Sequence, residues 1–117
     1  MMSILVVEEN KMLRNFLEKL FDYWQVESIL IKDYAEAMTF AERSGHRRCT
    51  HFLLEIQSIA ASREVLKSLR RNNPEAKAIA LCNDSFQKTV NDFKRESFAG
   101  VLVKPFRVEE LKKALDV

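Results

Sequence analysis

Glycine and proline are nearly missing from this chain, with two of each in 117 residues. That scarcity leaves no glycine-rich phosphate loop and little flexible linker. Cysteine is scarce too: Cys49 and Cys82 supply neither a disulfide framework nor a zinc pattern, which suits a reducing cytoplasm. No apolar run is long enough to span a bilayer, and no charged leader precedes the first apolar run. Nor does one sign of charge dominate. Nineteen basic residues nearly match seventeen acidic ones, and a net charge of +2 gives no case for direct nucleic-acid or membrane binding. What remains is an ordinary globular composition, 47% hydrophobic and 31% charged, of a length that makes one domain with a real core.

The apolar residues fall into short runs. Ile4–Val7 is apolar on both faces and too short for a helix, so it reads as a buried strand. Asn10 then caps a helix whose stripe is Leu13, Phe16, Leu17, Leu20, Phe21 and Trp24. Val26–Ile31 reads as a second strand. Asp33, with Glu36 three residues later, caps a helix turning Tyr34, Ala37, Met38 and Ala41 inward and ending at Gly45. Phe52–Leu54 forms a third strand ending on Glu55. Ser62 is expected to open the next helix, carrying Val65, Leu66 and Leu69 and stopped by Asn72-Asn73-Pro74. Ala78–Leu81 is a fourth strand, followed by a helix capped at Asp84 or Ser85 with Phe86, Val90 and Phe93 inward. Val101–Val103, entered through Gly100, is the fifth strand. A last helix carries Val108, Leu111 and Leu115, with Arg107 where a capping oxygen is expected. Five alternating strands and helices predict an α/β fold: a doubly wound parallel sheet, commonest order 2-1-3-4-5, flavodoxin-like.

In such a sheet, ligands bind beyond the carboxyl ends of the strands, where the winding reverses. The chemically loaded residues sit at those ends: Glu8-Glu9, Glu55, Cys82-Asn83 and Lys104-Pro105. If Glu8, Glu9, Glu55 and Lys104 all ionise, the pocket carries a formal charge of about −2, which needs a cation, a shared proton or water. Glu8, Glu9 and Glu55 are therefore the candidate ligands for a weakly held Mg²⁺. The bland reading, three solvated carboxylates at strand ends, loses weight because the whole set converges.

The order acid pair, lone acid, small polar residue and Lys-Pro-Phe, each at its own strand end, resembles the receiver domain of two-component response regulators (CheY-like). The resemblance covers essentially the whole chain. It rests on Ile4-Leu5-Val6-Val7-Glu8-Glu9-Asn10, His51-Phe52-Leu53-Leu54-Glu55-Ile56, Ala78-Ile79-Ala80-Leu81-Cys82-Asn83 and Gly100-Val101-Leu102-Val103-Lys104-Pro105-Phe106. It implies phosphorelay signalling in the cytoplasm, with Glu55 in the phospho-acceptor position and Cys82 and Val101 in the switch positions. Lys104, followed by Pro105, is the family's lysine. It also implies protein contacts or homodimerisation through the helix after strand four, strand five and the final helix, a face including Lys88, Asn91, Asp92, Arg95, Lys112 and Lys113. A histidine kinase is the expected upstream partner, and residues 1–117 are expected to be one receiver-like domain, on its own or excised from a longer signalling protein.

The departures from the family carry the functional expectation. The family has Asp where Glu8, Glu9 and Glu55 stand; each Glu moves its carboxylate by about 1.5 Å, and errors of about 1 Å can cost on the order of 100-fold in rate. Cys82 replaces a switch hydroxyl with a weak donor, and Val101 replaces an aromatic ring. The loop after the acceptor, Ser58–Ser62, is one residue shorter. A lengthened Glu55 should reach toward Lys104 into the space of a phosphoryl group, a fixed partial imitation of the phosphorylated state. The expectation is a pseudo-receiver, a phosphorylation-independent interaction module and not an enzyme. Its rival is a working receiver that uses Glu and Mg²⁺ to accept a phosphoryl group from a histidine kinase. An FMN-binding flavodoxin is disfavoured because Glu8-Glu9 would repel a phosphate.

The remaining reactive-looking residues read as structural. Cys82 has no base placed beside it by sequence, so a small core-edge residue is favoured over a nucleophile. Cys49 and His51 start the third strand, at the edge away from the site. Arg47-Arg48 is a solvated basic step. Lys67, Arg70 and Arg71 complement a helix dipole. Trp24, Met12 and Met38 are expected in the core.

Overall fold

Successive residues of a strand face opposite sides of the sheet, so strands apolar at every position must be covered front and back. The computed structural model, which describes residues 1–43, 48–83 and 98–117, has that arrangement. Strands β1 (Ser3–Val7), β2 (Glu27–Ile31), β3 (His51–Glu55), β4 (Lys77–Cys82) and β5 (Gly100–Val103) form one sheet. All its pairings are parallel, and its order is β2-β1-β3-β4-β5. The doubly wound topology expected from the sequence is the one observed. The described helices are α1 (Lys11–Tyr23), α2 (Tyr34–Arg43), α3 (Ile59–Arg70) and α4 (Val108–Leu115). None is long and apolar enough to cross a membrane. The helix expected after Asp84 or Ser85, with Phe86, Val90 and Phe93, lies outside the described residues, as do Gly45, His46 and Arg47.

The alternation divides the core in two. Ile4, Val6, Leu53, Ile79, Leu81 and Leu102 face α1 and α4, meeting Leu17, Phe21, Leu111 and Leu115. Leu5, Val7, Phe52, Leu54, Ala78, Ala80 and Cys82 face the other way, onto Ala37, Val65, Leu66 and Leu69 of α2 and α3. Leu17 and Phe21 are fully buried, each contributing about 1.5–3 kcal/mol of burial. Caps follow sequence in two places: Asn10 Oδ1 accepts from Leu13 N at 2.9 Å, and Asp33 Oδ1 from Glu36 N at 2.8 Å. At α4, Arg107 offers no capping side chain. Glu110 compensates, its Oε1 accepting from Arg107 N at 2.9 Å.

Four local expectations are corrected. Helix α3 opens at Ser58, whose Oγ accepts from Ala61 N at 3.1 Å. Ser62 is buried inside the first turns and donates to Ile59 O at 2.8 Å; the segment read as a loop is thus largely helix. Strand β2 begins one residue after Val26, because Gln25 takes a left-handed turn at φ 58°. Met12 and Phe16 are not core: they are 82% and 47% exposed. Trp24 is half-buried, 5.9 Å from the Phe21 ring centroid, with Lys112 Nζ 5.8 Å from its own.

Candidate functional site

Strand register decides which tips meet. Val7 lies level with Leu54, and Cys82 with Val103, so the residues that follow, Glu8 and Lys104, emerge beside Glu55 at one end of the sheet. Glu8 N donates to Ile31 O at 2.9 Å, and Lys104 N to Cys82 O at 2.8 Å, which holds both positions on the sheet's own hydrogen-bond ladder. The Lys104–Pro105 peptide is cis.

Lys104 Nζ lies 2.6 Å from Glu8 Oε1 and 2.7 Å from Glu55 Oε2. Glu8 is completely buried. Its Oε1 has no aligned hydrogen-bond donor, so the ammonium is its compensation. Its Oε2 accepts from Asn10 N at 2.8 Å. Glu55 Oε1 accepts from Glu9 N at 3.0 Å, so both oxygens of Glu55 are engaged. Glu9 itself is exposed, and its side chain accepts from Gln57 Nε2 at 3.1 Å. The acid pair is therefore split, one carboxylate turned in and one turned out.

The electrostatics follow from burial and from the shared ammonium. Burial pushes the Glu8 carboxyl above its ordinary value, and the Lys104 and Asn10 bonds offset this only in part. Burial also acts upward on Glu55, but its bonds to Lys104, Glu9 N and Glu8 outweigh it and hold that carboxyl below its usual range. Burial acts downward on Lys104, yet the two carboxylates win and raise it. The result is a charged Glu55–Lys104 pair beside a Glu8 that is harder to ionise.

The Mg²⁺ ligand set expected from Glu8, Glu9 and Glu55 is not brought together. Glu9 accepts from Gln57, and the ammonium stands between the other two carboxylates. Among the described residues no three side chains of ligating type are grouped to hold an ion. The donor set in this arrangement does not fit magnesium.

Several supporting residues were not singled out from the sequence. Arg14 Nη1 donates to the carbonyls of Glu8 and Glu9, both at 2.8 Å, fixing the turn that splits the pair. The Tyr34 hydroxyl donates to Glu55 O and accepts from Gln57 N. Helical spacing marks Tyr34 only as an inward residue; nothing in the pattern assigns its hydroxyl a partner. Cys82 is 1% exposed, and burial pushes its thiol up against a smaller pull from Lys104. That is the profile of a packed residue rather than a thiolate nucleophile. Val101 is half-buried against the α2–α3 core. His51 and Cys49 lie at the opposite edge, where His51 Nδ1 is 2.8 Å from Thr50 Oγ1 and Cys49 N donates to Asn73 Oδ1 at 2.7 Å.

No family model and no curated protein matches this chain. Solved structures do match in fold. A response regulator receiver domain protein from Clostridium thermocellum superposes with TM-score 0.81 at 15% identity, over 99% of this chain and 92% of that one. A Rhodopirellula baltica protein described as an adenylate cyclase gives TM-score 0.82 at 17% identity, covering 97% and 84%. The receiver domain of Saccharomyces cerevisiae Ssk1, solved with the histidine phosphotransfer protein Ypd1, gives 0.76 at 18% identity, covering 96% and 84%. The chain has the receiver-domain fold.

Proposed function

We propose that residues 1–117 form a receiver-like regulatory module of two-component signal transduction whose protein contacts do not depend on phosphorylation. Glu55 stands at the acceptor position without acting as an acceptor. The observation that supports this reading is that both oxygens of its carboxylate are engaged within the protein: one on Lys104 Nζ at 2.7 Å, the other on Glu9 N at 3.0 Å. A carboxylate that attacks phosphorus needs a free oxygen facing the donor and a cation to receive the transferred group. Here the lysine is already neutralised by protein carboxylates. The packed thiol of Cys82 and the aliphatic Val101 give an incoming phosphoryl group little to couple to.

The module's role is to hold a protein partner, not to catalyse. A structural neighbour solved in complex with a phosphotransfer protein favours a partner of that general kind. The face formed around β5 and the final helix is one candidate surface, although Lys112 is partly committed to the Trp24 ring. Lys88, Asn91, Asp92 and Arg95, expected on that face, lie outside the described residues.

Incubation with acetyl phosphate and Mg²⁺, followed by intact-mass and peptide mass spectrometry, tests the reading. The expected result is no adduct and unchanged partner affinity with and without the phosphodonor. A stoichiometric, base-labile phosphoryl group mapped to Glu55 would establish the rival reading, a working receiver accepting from a histidine kinase.

A further inference from the structure

The outer face of α1 carries three of the five large hydrophobic side chains exposed among the described residues: Met12 at 82%, Phe16 at 47% and Tyr23 at 83%. At about 100° per residue, these three and Lys19 fall within roughly 60° of arc. They form one continuous stripe on the side of the helix opposite Leu17 and Phe21. Apolar residues scattered singly on a surface need no explanation, but a contiguous stripe does.

The stripe is complementary to itself. A second α1 laid antiparallel about the point between Leu17 and Glu18 sets Met12 against Tyr23 of the other copy and Phe16 against Lys19. The first contact is apolar on aromatic; the second places an ammonium against an aromatic ring. A two-fold axis brings the same flank of each helix together. On one flank stand Lys11 and Asp22, both exposed, and neither side chain is held by an ion pair or hydrogen bond among the described residues. In the antiparallel arrangement Lys11 of each copy comes within two residue rises, about 3 Å, of level with Asp22 of the other. Two intermolecular ion pairs then close the ends of the stripe. A heterologous partner would not require this internal palindrome of apolar, aromatic and charged positions.

We infer that α1 is a homodimer interface, with a second copy of this chain as the occupant of the Met12–Phe16–Tyr23 stripe. The helix has 13 residues, roughly 20 Å of length. One helix face of that length covers less than the roughly 800 Å² per partner of a standard stable interface. The dimer is therefore weak and reversible.

Sedimentation equilibrium of the full chain from about 10 µM to 1 mM tests this, the range being set by that small contact area. The expected weight-average mass climbs from 13.7 kDa toward twice that value. Met12→Glu and Tyr23→Glu, both at exposed positions, should each weaken association at least about tenfold, since each replaces an apolar contact at the stripe with a hydrated carboxylate. Lys11→Asp and Asp22→Lys should each weaken it by about three- to fivefold, the scale of an exposed ion pair, and the two together should restore it. Circular dichroism verifies that each variant is folded. A chain that stays monomeric at 1 mM overturns the inference. So does a dimer indifferent to Met12→Glu and Tyr23→Glu, which would place the contact elsewhere. A charge swap no better than its single variants would overturn the antiparallel pairing and with it the two-fold arrangement. A monomer whose stripe is instead protected by a phosphotransfer protein would overturn the choice of occupant.

Discussion

Replacing Lys104 with Met keeps the length and apolar stem of the side chain and deletes only the ammonium. Two carboxylates then face each other with no cation between them, one fully buried and one 18% exposed at its side chain. Removing one partner of a buried ion pair costs about 3–5 kcal/mol because the other charge is stranded. Lys104 is itself 21% exposed and Glu55 partly so, which lets water recover some of that. The expected loss at pH 7 is about 2–4 kcal/mol, a large share of a typical domain's stability. The pH dependence identifies the cause. In the variant both carboxyls should titrate higher than in the native chain, so the folded state takes up protons that the unfolded state has released. Stability relative to wild type should therefore recover as the pH drops toward 4.5. Adding Glu8→Gln should return part of the loss at pH 7, since a neutral amide needs no counter-ion. Urea melts at the two pH values, with unchanged slope, measure all of this. A loss below about 1 kcal/mol, or one that does not shrink at acid pH, would refute the picture of an ammonium compensating buried carboxylates.

Two further outcomes follow from geometry away from the site. Burial, with a smaller push from Lys77, holds His51 below its ordinary value of 6.5; the unfolded chain binds the proton first, so stability should fall as pH drops below 6.5, and His51→Phe should flatten that limb of a pH–stability curve. Gly100→Ala should be neutral or stabilising by about 0.4–1 kcal/mol in thermal melts, because a Cβ there meets only Ile79 Cδ1 at an ordinary 3.6 Å and the residue has no left-handed φ; a loss above about 1 kcal/mol would show that β5 needs glycine for another reason.

Strand identity and order were legible because doubly covered strands read as uninterrupted apolar runs and because β–α alternation leaves few topologies. The site's location was legible for the same reason: the charged residue closing each run has nowhere to go but the carboxyl edge. Which of Glu8 and Glu9 turns inward was not. That is decided by Arg14, a helix residue six positions on, binding both their carbonyls. The opening of α3 was misjudged because Ser58 and Ser62 both offer capping hydroxyls, and only packing shows that Ser62 is buried. Phe16 satisfies the three-and-four spacing, yet it lies at the margin of the arc centred on Leu17, Leu20, Phe21 and Trp24. Spacing alone does not separate the margin of a buried face from the start of an exposed one. The magnesium expectation counted carboxylates, but a count ignores that a lysine on a neighbouring tip reaches the same point.

Lys104 directly follows β5, and its carboxylate partners close β3 and follow β1, so its ammonium reaches across the tip of β4, which contributes only a buried thiol. Four adjacent strands are thereby hooped at one rim by a single side chain. Slackening that hoop would splay the rim, so the same three charges that line the site also bind the sheet's edge together.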